Sequence, residues 1–244
     1  RRWREAILVA AGLVQVGFVT GQWWLLPAGE LTAGSLGNAS YLGVFLAIAG
    51  AGAPVWLLPV FGWGILLTRA RIGALAFLVA LCVRYPKARL PVLAGGLTLL
   101  GITFMRHGWN MDSVAHRMWV TGIALRDLVA VWWAPLVGYG PAAWLNRVLF
   151  LQKDSSAMFS EIFGQAHNEY LQVAYEGGIV ALALVGLWVW AHRQTLRESP
   201  GAAASAVTAL GMFTFQVAAT AIAALTVFGL ASGGRKGEEH ETGA

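Results

Sequence analysis

Hydrophobic positions along this chain fall in long uncharged runs, not on one face of otherwise polar segments. Ala6–Leu26 carries no charged residue, and neither do Tyr41–Thr68, Ile72–Val83, Leu90–Met105, Gly177–Ala191 or Gly201–Gly234. A helix needs about 20 apolar residues to cross about 30 Å of hydrocarbon, and the first run meets that length. The pattern predicts an all-α chain, a polytopic transmembrane helical bundle. Tyr41–Val83 has two readings. One is a shallow hairpin broken at Gly52–Pro54 or Pro59, followed by a helix from about Arg69 to Val83. The other is one bent span to Thr68, with Arg69 and Arg71 held midway. The prolines favour the hairpin. Gly201–Gly234 crosses twice or dips and returns.

Asn110–Trp133 is different in kind. Apolar and polar residues mix there at helical spacing, with Trp119, Ile123, Val129 and Trp133 among the apolar members. This predicts an amphipathic helix lying on a membrane or on the bundle. Pro135–Gly140 breaks it, Gln152–Ser156 reads as a polar loop, and His167–Glu176 begins the next helix.

Composition supports lipid as the solvent. Of 244 residues, 57% are hydrophobic and 12% charged, with mean hydropathy +0.62. A soluble domain carries about twice that charge. The net charge of +5 does not point to nucleic acid, because the basic residues cluster at the ends of apolar runs. Arg1, Arg2 and Arg4 put the N-terminus on the cytoplasmic side; Arg84, Lys87 and Arg89 form a second cytoplasmic cluster, and His192, Arg193 and Arg197 a third. Residues 106–170 then form a long periplasmic loop within a transmembrane domain 1–234. The polar tail, residues 235–244, is expected to be disordered. The twelve tryptophans suit interfacial positions. The lone Cys82 reads as a small core residue. Ala6–Leu26 follows a basic start, as a signal peptide would, but its length and the lack of a cleavage site favour a span. The chain begins with Arg1, which reads as a fragment or a trimmed chain.

Few residues are left to carry chemistry. The sequence has no Gly-rich phosphate loop, no His-x-x-x-His pair and no paired aspartates fit for magnesium. Arg69 and Arg71 interrupt an apolar stretch, where a cation either faces a cavity or anionic partner or snorkels to the interface. The small pair Gly73-Ala74 allows close approach of a ligand or another helix. His116 and Arg117 fit a solvated polar face, while Arg117 also suits a phosphate through its planar fork. His167 can take a proton from a hydroxyl near neutral pH, although an isolated histidine is more often structural.

Four elements, in order, give the chain a family likeness. They are Gly37-Asn38-Ala39-Ser40; Leu67-Thr68-Arg69-Ala70-Arg71-Ile72-Gly73-Ala74; Arg117-Met118-Trp119 followed by Ala134-Pro135-Leu136-Val137-Gly138-Tyr139-Gly140; and Ala166-His167-Asn168-Glu169-Tyr170-Leu171-Gln172 followed by Glu176-Gly177-Gly178. Together they resemble the O-antigen ligase and polymerase-like superfamily of bacterial membrane glycosyltransferases, over Gly37 to Gly178. The resemblance implies a GT-C-like bundle in the bacterial inner membrane, with its active face periplasmic. It implies transfer of a glycan from an undecaprenyl-diphosphate-linked donor to lipid A core, another glycan or a protein hydroxyl, with no cofactor and no metal. By the same resemblance Arg71 and Arg117 hold the diphosphate, and His167 orients or deprotonates the acceptor hydroxyl. Asn168 supports the histidine or the sugar, Gly138 and Gly140 shape the nearby loop, and Asn38 belongs to the first element. Two alternatives stay open: a transporter-like relative that moves a small anion, and a truncated, inactive homologue.

Overall fold

A computed structural model describes residues 2–25, 34–36, 38–107, 111–153, 168–209 and 220–227. His167 and the expected polar tail lie outside them, as does half of Gly201–Gly234. Among the described residues the chain is all-α, without a strand. The helices are α1 (Arg2–Leu25), α2 (Ala39–Ala51), α3 (Leu58–Thr68), α4 (Arg71–Arg84), α5 (Arg89–His107), α6 (Met111–Ala130), α7 (Ala134–Val137), α8 (Leu149–Lys153), α9 (Glu169–Ala191), α10 (Arg193–Glu198) and α11 (Pro200–Ala209). Two are long and apolar enough to cross a membrane, over Glu5–Leu25 and Glu169–Ala191. The chain divides into two compact units: α1 to Met105 with α10 and most of α11, and Arg106 to His192.

The first unit is built around α2. Every residue of this helix except Ser40 and Tyr41 is buried. A helix that is apolar all round belongs inside, and α1, α3 and α4 cover it. The second apolar run of the sequence is thus a core hairpin. It breaks at Gly52–Pro54, as the proline reading expected, because Pro54 lacks the N–H that a continuing helix needs. α2 and α4 run parallel. Near their N-terminal ends Gly73 lies on the backbone of Gly43, and a Cβ on Gly73 would come within 2.6 Å of the Gly43 carbonyl oxygen. At their other ends Arg84 donates to the carbonyls of Ala51 and Ala53, filling acceptors that the end of α2 leaves open. The small Gly73 therefore serves close approach of another helix. α2, α3 and α4 are each only about 16–21 Å long at 1.5 Å per residue.

α1 is mostly exposed, and its tryptophans mark its two ends. Trp3 is 83% exposed, and Trp23 and Trp24 are 48% and 75% exposed. Trp23 makes edge contacts with Trp24 and with Trp63 of α3. The spacing from Trp3 to Trp23 is about 30 Å, the thickness of a bilayer's hydrocarbon layer.

In the second unit α6 buries His116, Val120, Ala124 and Leu128, one residue per turn. Val129 and Trp133, expected on the apolar side, are exposed. The helix is apolar on two faces, so spacing alone does not say which face is covered. Gln152 also departs from the expected polar loop. It sits in α8, 2% exposed, with its amide donating to the Val148 carbonyl at 3.3 Å. That internal hydrogen bond makes its burial tolerable.

A test follows from the α2–α4 contact. Gly43→Val or Gly73→Val forces two backbones apart, and we expect a loss of about 1–3 kcal/mol in thermal unfolding of the detergent-solubilised chain. Gly95→Ala, on an open stretch of α5, should cost nothing. Equal effects at the three positions would refute the contact.

Candidate functional site

The first two sequence elements meet in the first unit. Asn38 caps α2: its side-chain oxygen accepts from the Ser40 and Tyr41 N–H groups, at 2.8 and 3.3 Å. Five residues on, Gly43 lies against the turn that links α3 to α4. That turn is closed by the buried Thr68. Its hydroxyl donates to the Ile65 carbonyl at 2.7 Å and accepts from the Ala70 N–H at 3.2 Å. Arg69 takes a left-handed conformation, φ 54, rare for a residue with a side chain. Ala70 offers α4 no side-chain cap, and half-buried Arg71 is its first residue. A guanidinium there adds to the positive end of the helix dipole, an arrangement that favours an anion.

The other two elements meet in the second unit. α9 is broken inside its own length. Gly178 has φ 63 and ψ −161, a conformation open essentially to glycine alone. In an unbroken helix the Tyr175 and Glu176 carbonyls would accept from residues four further on. Here they accept from the loop after α7 instead: Tyr139 N–H donates to Tyr175 at 3.0 Å and Gly140 N–H to Glu176 at 2.8 Å. The approach is reciprocal. A Cβ on Gly138, φ 68, would overlap the Glu176 backbone, and one on Gly178 would overlap that of Leu136.

A charged and aromatic cluster holds this junction. Arg147 grips Asp127 with two N–H groups, the Nη2 contact at 2.9 Å, and Tyr175 donates its hydroxyl to the same carboxylate. The Tyr139 hydroxyl donates to the Asp127 carbonyl, and the Arg147 guanidinium lies 4.1 Å from the Tyr139 ring centre. Trp144 is fully buried with its ring centre 5.5 Å from that of Tyr175. Burial pushes the Asp127 carboxyl up, but hydrogen bonds from Arg147 and Tyr175 and the Arg147 charge outweigh it. The carboxyl is held below its ordinary range. The hydrogen bond to Asp127 in turn raises Arg147, which stays charged.

Asn168 caps α9, accepting from the Leu171 N–H at 3.1 Å. Arg117 is half-buried on α6, beside the buried His116, whose ring lies 6.0 Å from that of Trp119. The structure therefore joins Gly138 and Gly140 to the Glu176–Gly178 kink. Arg71 and Asn38 belong to the first unit and Arg117 and Asn168 to the second. The sequence reading did not single out Asp127, Arg147 or the Tyr139–Tyr175 pair. Asp127 and Arg147 stand twenty residues apart with no motif between them, so only the fold reveals the pair. Among the described residues no group of three or more His, Cys, Asp or Glu is placed to hold a metal ion. No family model, curated protein or solved structure matches the chain.

Two outcomes test this junction. Gly178→Ala should destabilise the chain by about 1–3 kcal/mol and expose the Tyr139 and Gly140 amides to hydrogen exchange. Unchanged protection there would contradict the locked kink. The Asp127–Arg147 pair should stabilise the fold fully above the ordinary aspartate pKa of about 3.9, and lose that effect as pH falls through the lowered folded-state value. Below about pH 4 the wild-type unfolding midpoint should therefore fall faster than that of Asp127→Asn. Parallel pH profiles would remove the pair from the stability account.

Proposed function

We propose that the chain is a membrane glycosyltransferase of the O-antigen ligase-like superfamily, a multi-pass protein of the bacterial inner membrane. It moves a glycan from an undecaprenyl-diphosphate carrier to an acceptor hydroxyl at the periplasmic face. The acceptor is lipid A core, a glycan or a protein. The supporting observation is the pairing of four short elements that lie far apart in sequence. The Asn38-led helix packs along α4 just beyond Arg71, and the Pro135–Gly140 loop locks on the Glu176–Gly178 kink. Within each unit, two elements far apart in sequence pack on each other through glycine backbones, more than the filling of apolar spans requires.

α1 and α9 support the membrane setting by length and composition, and the tryptophans at both ends of α1 fit headgroup depth. The second apolar face of α6, with Met118, Leu125 and Val129 exposed, suits an interfacial helix.

In this reading the acceptor oxygen attacks the anomeric carbon. The bond from that carbon to the phosphate oxygen breaks, and the diphosphate leaves with the electron pair. Arg71 and Arg117 offset the charge that develops on it. His167 takes the proton from the acceptor hydroxyl. The decisive experiment is glycan transfer from a lipid-linked donor in proteoliposomes. His167→Ala should lower the rate about 10²- to 10⁴-fold, and Arg71→Ala or Arg117→Ala about 10²- to 10³-fold. Chelator should leave the wild-type rate unchanged. A wild-type rate in His167→Ala would end the proposal.

A further inference from the structure

The first half of α9, ahead of the uncharged run that begins at Gly177, carries a polar stripe. Asn168, Gln172 and Glu176 stand four residues apart, so they share one face of its N-terminal half. All three are half-buried. Polar and ionisable groups in a helix of this hydropathy are costly, and they mark functional positions. The stripe is also tied together. Glu176 Oε1 accepts from the Gln172 side-chain amide at 3.2 Å and from the Trp144 backbone N–H at 3.3 Å.

That arrangement uses only part of the hydrogen-bonding capacity. Glu176 Oε2 has no hydrogen bond among the described residues, and the Asn168 side-chain nitrogen has none beside its capping oxygen. The indole Nε1–H of Trp144 is buried and has no hydrogen-bond partner either. Buried polar groups are nearly always satisfied, so the open indole is a departure from the rule, while the open atoms of half-buried Glu176 and Asn168 can meet a ligand. Trp144 also opens a π-helical turn, Trp144–Val148, a distortion that recurs at functional positions. On the stripe the surplus comprises an acceptor, Glu176 Oε2, and a donor, the Asn168 amide, beside a carboxylate oxygen already fixed. A ligand that fits must both donate and accept hydrogen bonds. A sugar hydroxyl does both.

We propose that Asn168, Gln172 and Glu176 form a subsite that recognises sugar hydroxyls, Glu176 Oε2 accepting from one of them. The proposal rests on the glycan-transfer reading, and it assigns Glu176 to substrate recognition. Glu176→Gln is the direct probe. The amide keeps an oxygen to accept from Trp144 and Gln172, and it replaces the open acceptor with a donor.

The test measures binding of two probes to the full chain in lipid nanodiscs: undecaprenyl diphosphate, and undecaprenyl diphosphate bearing one N-acetylglucosamine. Wild type should prefer the sugar-bearing lipid. Glu176→Gln should lose that preference by about tenfold to a hundredfold, the range for a hydrogen bond to a charged group, and bind the bare lipid as wild type does. Glu176→Asp, which keeps the charge but withdraws it by one methylene, should lose part of the preference. A preference retained in both variants would overturn the subsite while leaving the glycosyltransferase reading intact. A wild type that binds neither probe would overturn both. If both variants lose the near-ultraviolet circular dichroism of the aromatic cluster, Glu176 is a packing element and the subsite is overturned.

Discussion

Two helices can approach only as closely as the side chains between them allow, and at two places in this chain there is no side chain between them. Gly43 meets Gly73, and Gly138 meets the backbone before Gly178. Each contact is main chain on main chain, and each fixes the relative height of its partners more narrowly than side-chain packing would. Around the first, α2 and α4 run parallel, with Arg84 closing the far end. Around the second, a loop replaces the hydrogen bonds that a broken helix has given up. The positions of Arg71, of Asn168 and of the glycine loop within their own units follow from these contacts.

The break in α9 divides that helix into halves with different tasks. Before Gly178 lie Asn168, Gln172, Tyr175 and Glu176, each tied by hydrogen bonds to a neighbour in the unit. After it lie Ile179, Val180, Leu184, Leu187 and Trp190, all exposed. A straight helix would carry its polar face continuously into the apolar half. The kink ends one environment and begins the other at the residue where a side chain would collide with Leu136. The loop amides satisfy the Tyr175 and Glu176 carbonyls, which would be expensive to leave unpaired in an apolar medium.

Much of this was legible in the residues, for reasons that differ by element. The hairpin break at Gly52–Pro54 was readable because proline removes a donor whatever surrounds it. The start of α9 was readable because an Asn before an apolar run is a local cap signal. The glycines stood out as motif members in the sequence, although their packing partners did not. Two things were hidden. The burial of α2 was one, since an uncharged run looks the same in lipid and in a protein core. The covered face of α6 was the other, because His116 is buried while Val129 is exposed. Neither depends on a local rule; both are set by what the rest of the unit presents.

The Asp127 cluster illustrates the same limit and explains its own importance. Its members come from α6, the loop after α7, the π-helical turn and α9, so no window of sequence contains them. Asp127 accepts from Arg147 and Tyr175 through its side chain and from Tyr139 through its backbone. It therefore binds both partners of the glycine junction at once. Asp127 is only partly covered and Arg147 is nearly half exposed, so the pair's strength comes from its geometry and its extra hydrogen bond from Tyr175 more than from burial. Arg147 holds the carboxylate in a two-pronged geometry a lysine cannot supply, and its guanidinium also packs on the Tyr139 ring. The ion pair is thus a fastening between the loop and the kinked helix. Glu176, the other carboxylate at the junction, is held separately, through one oxygen, by Gln172 and the Trp144 backbone N–H.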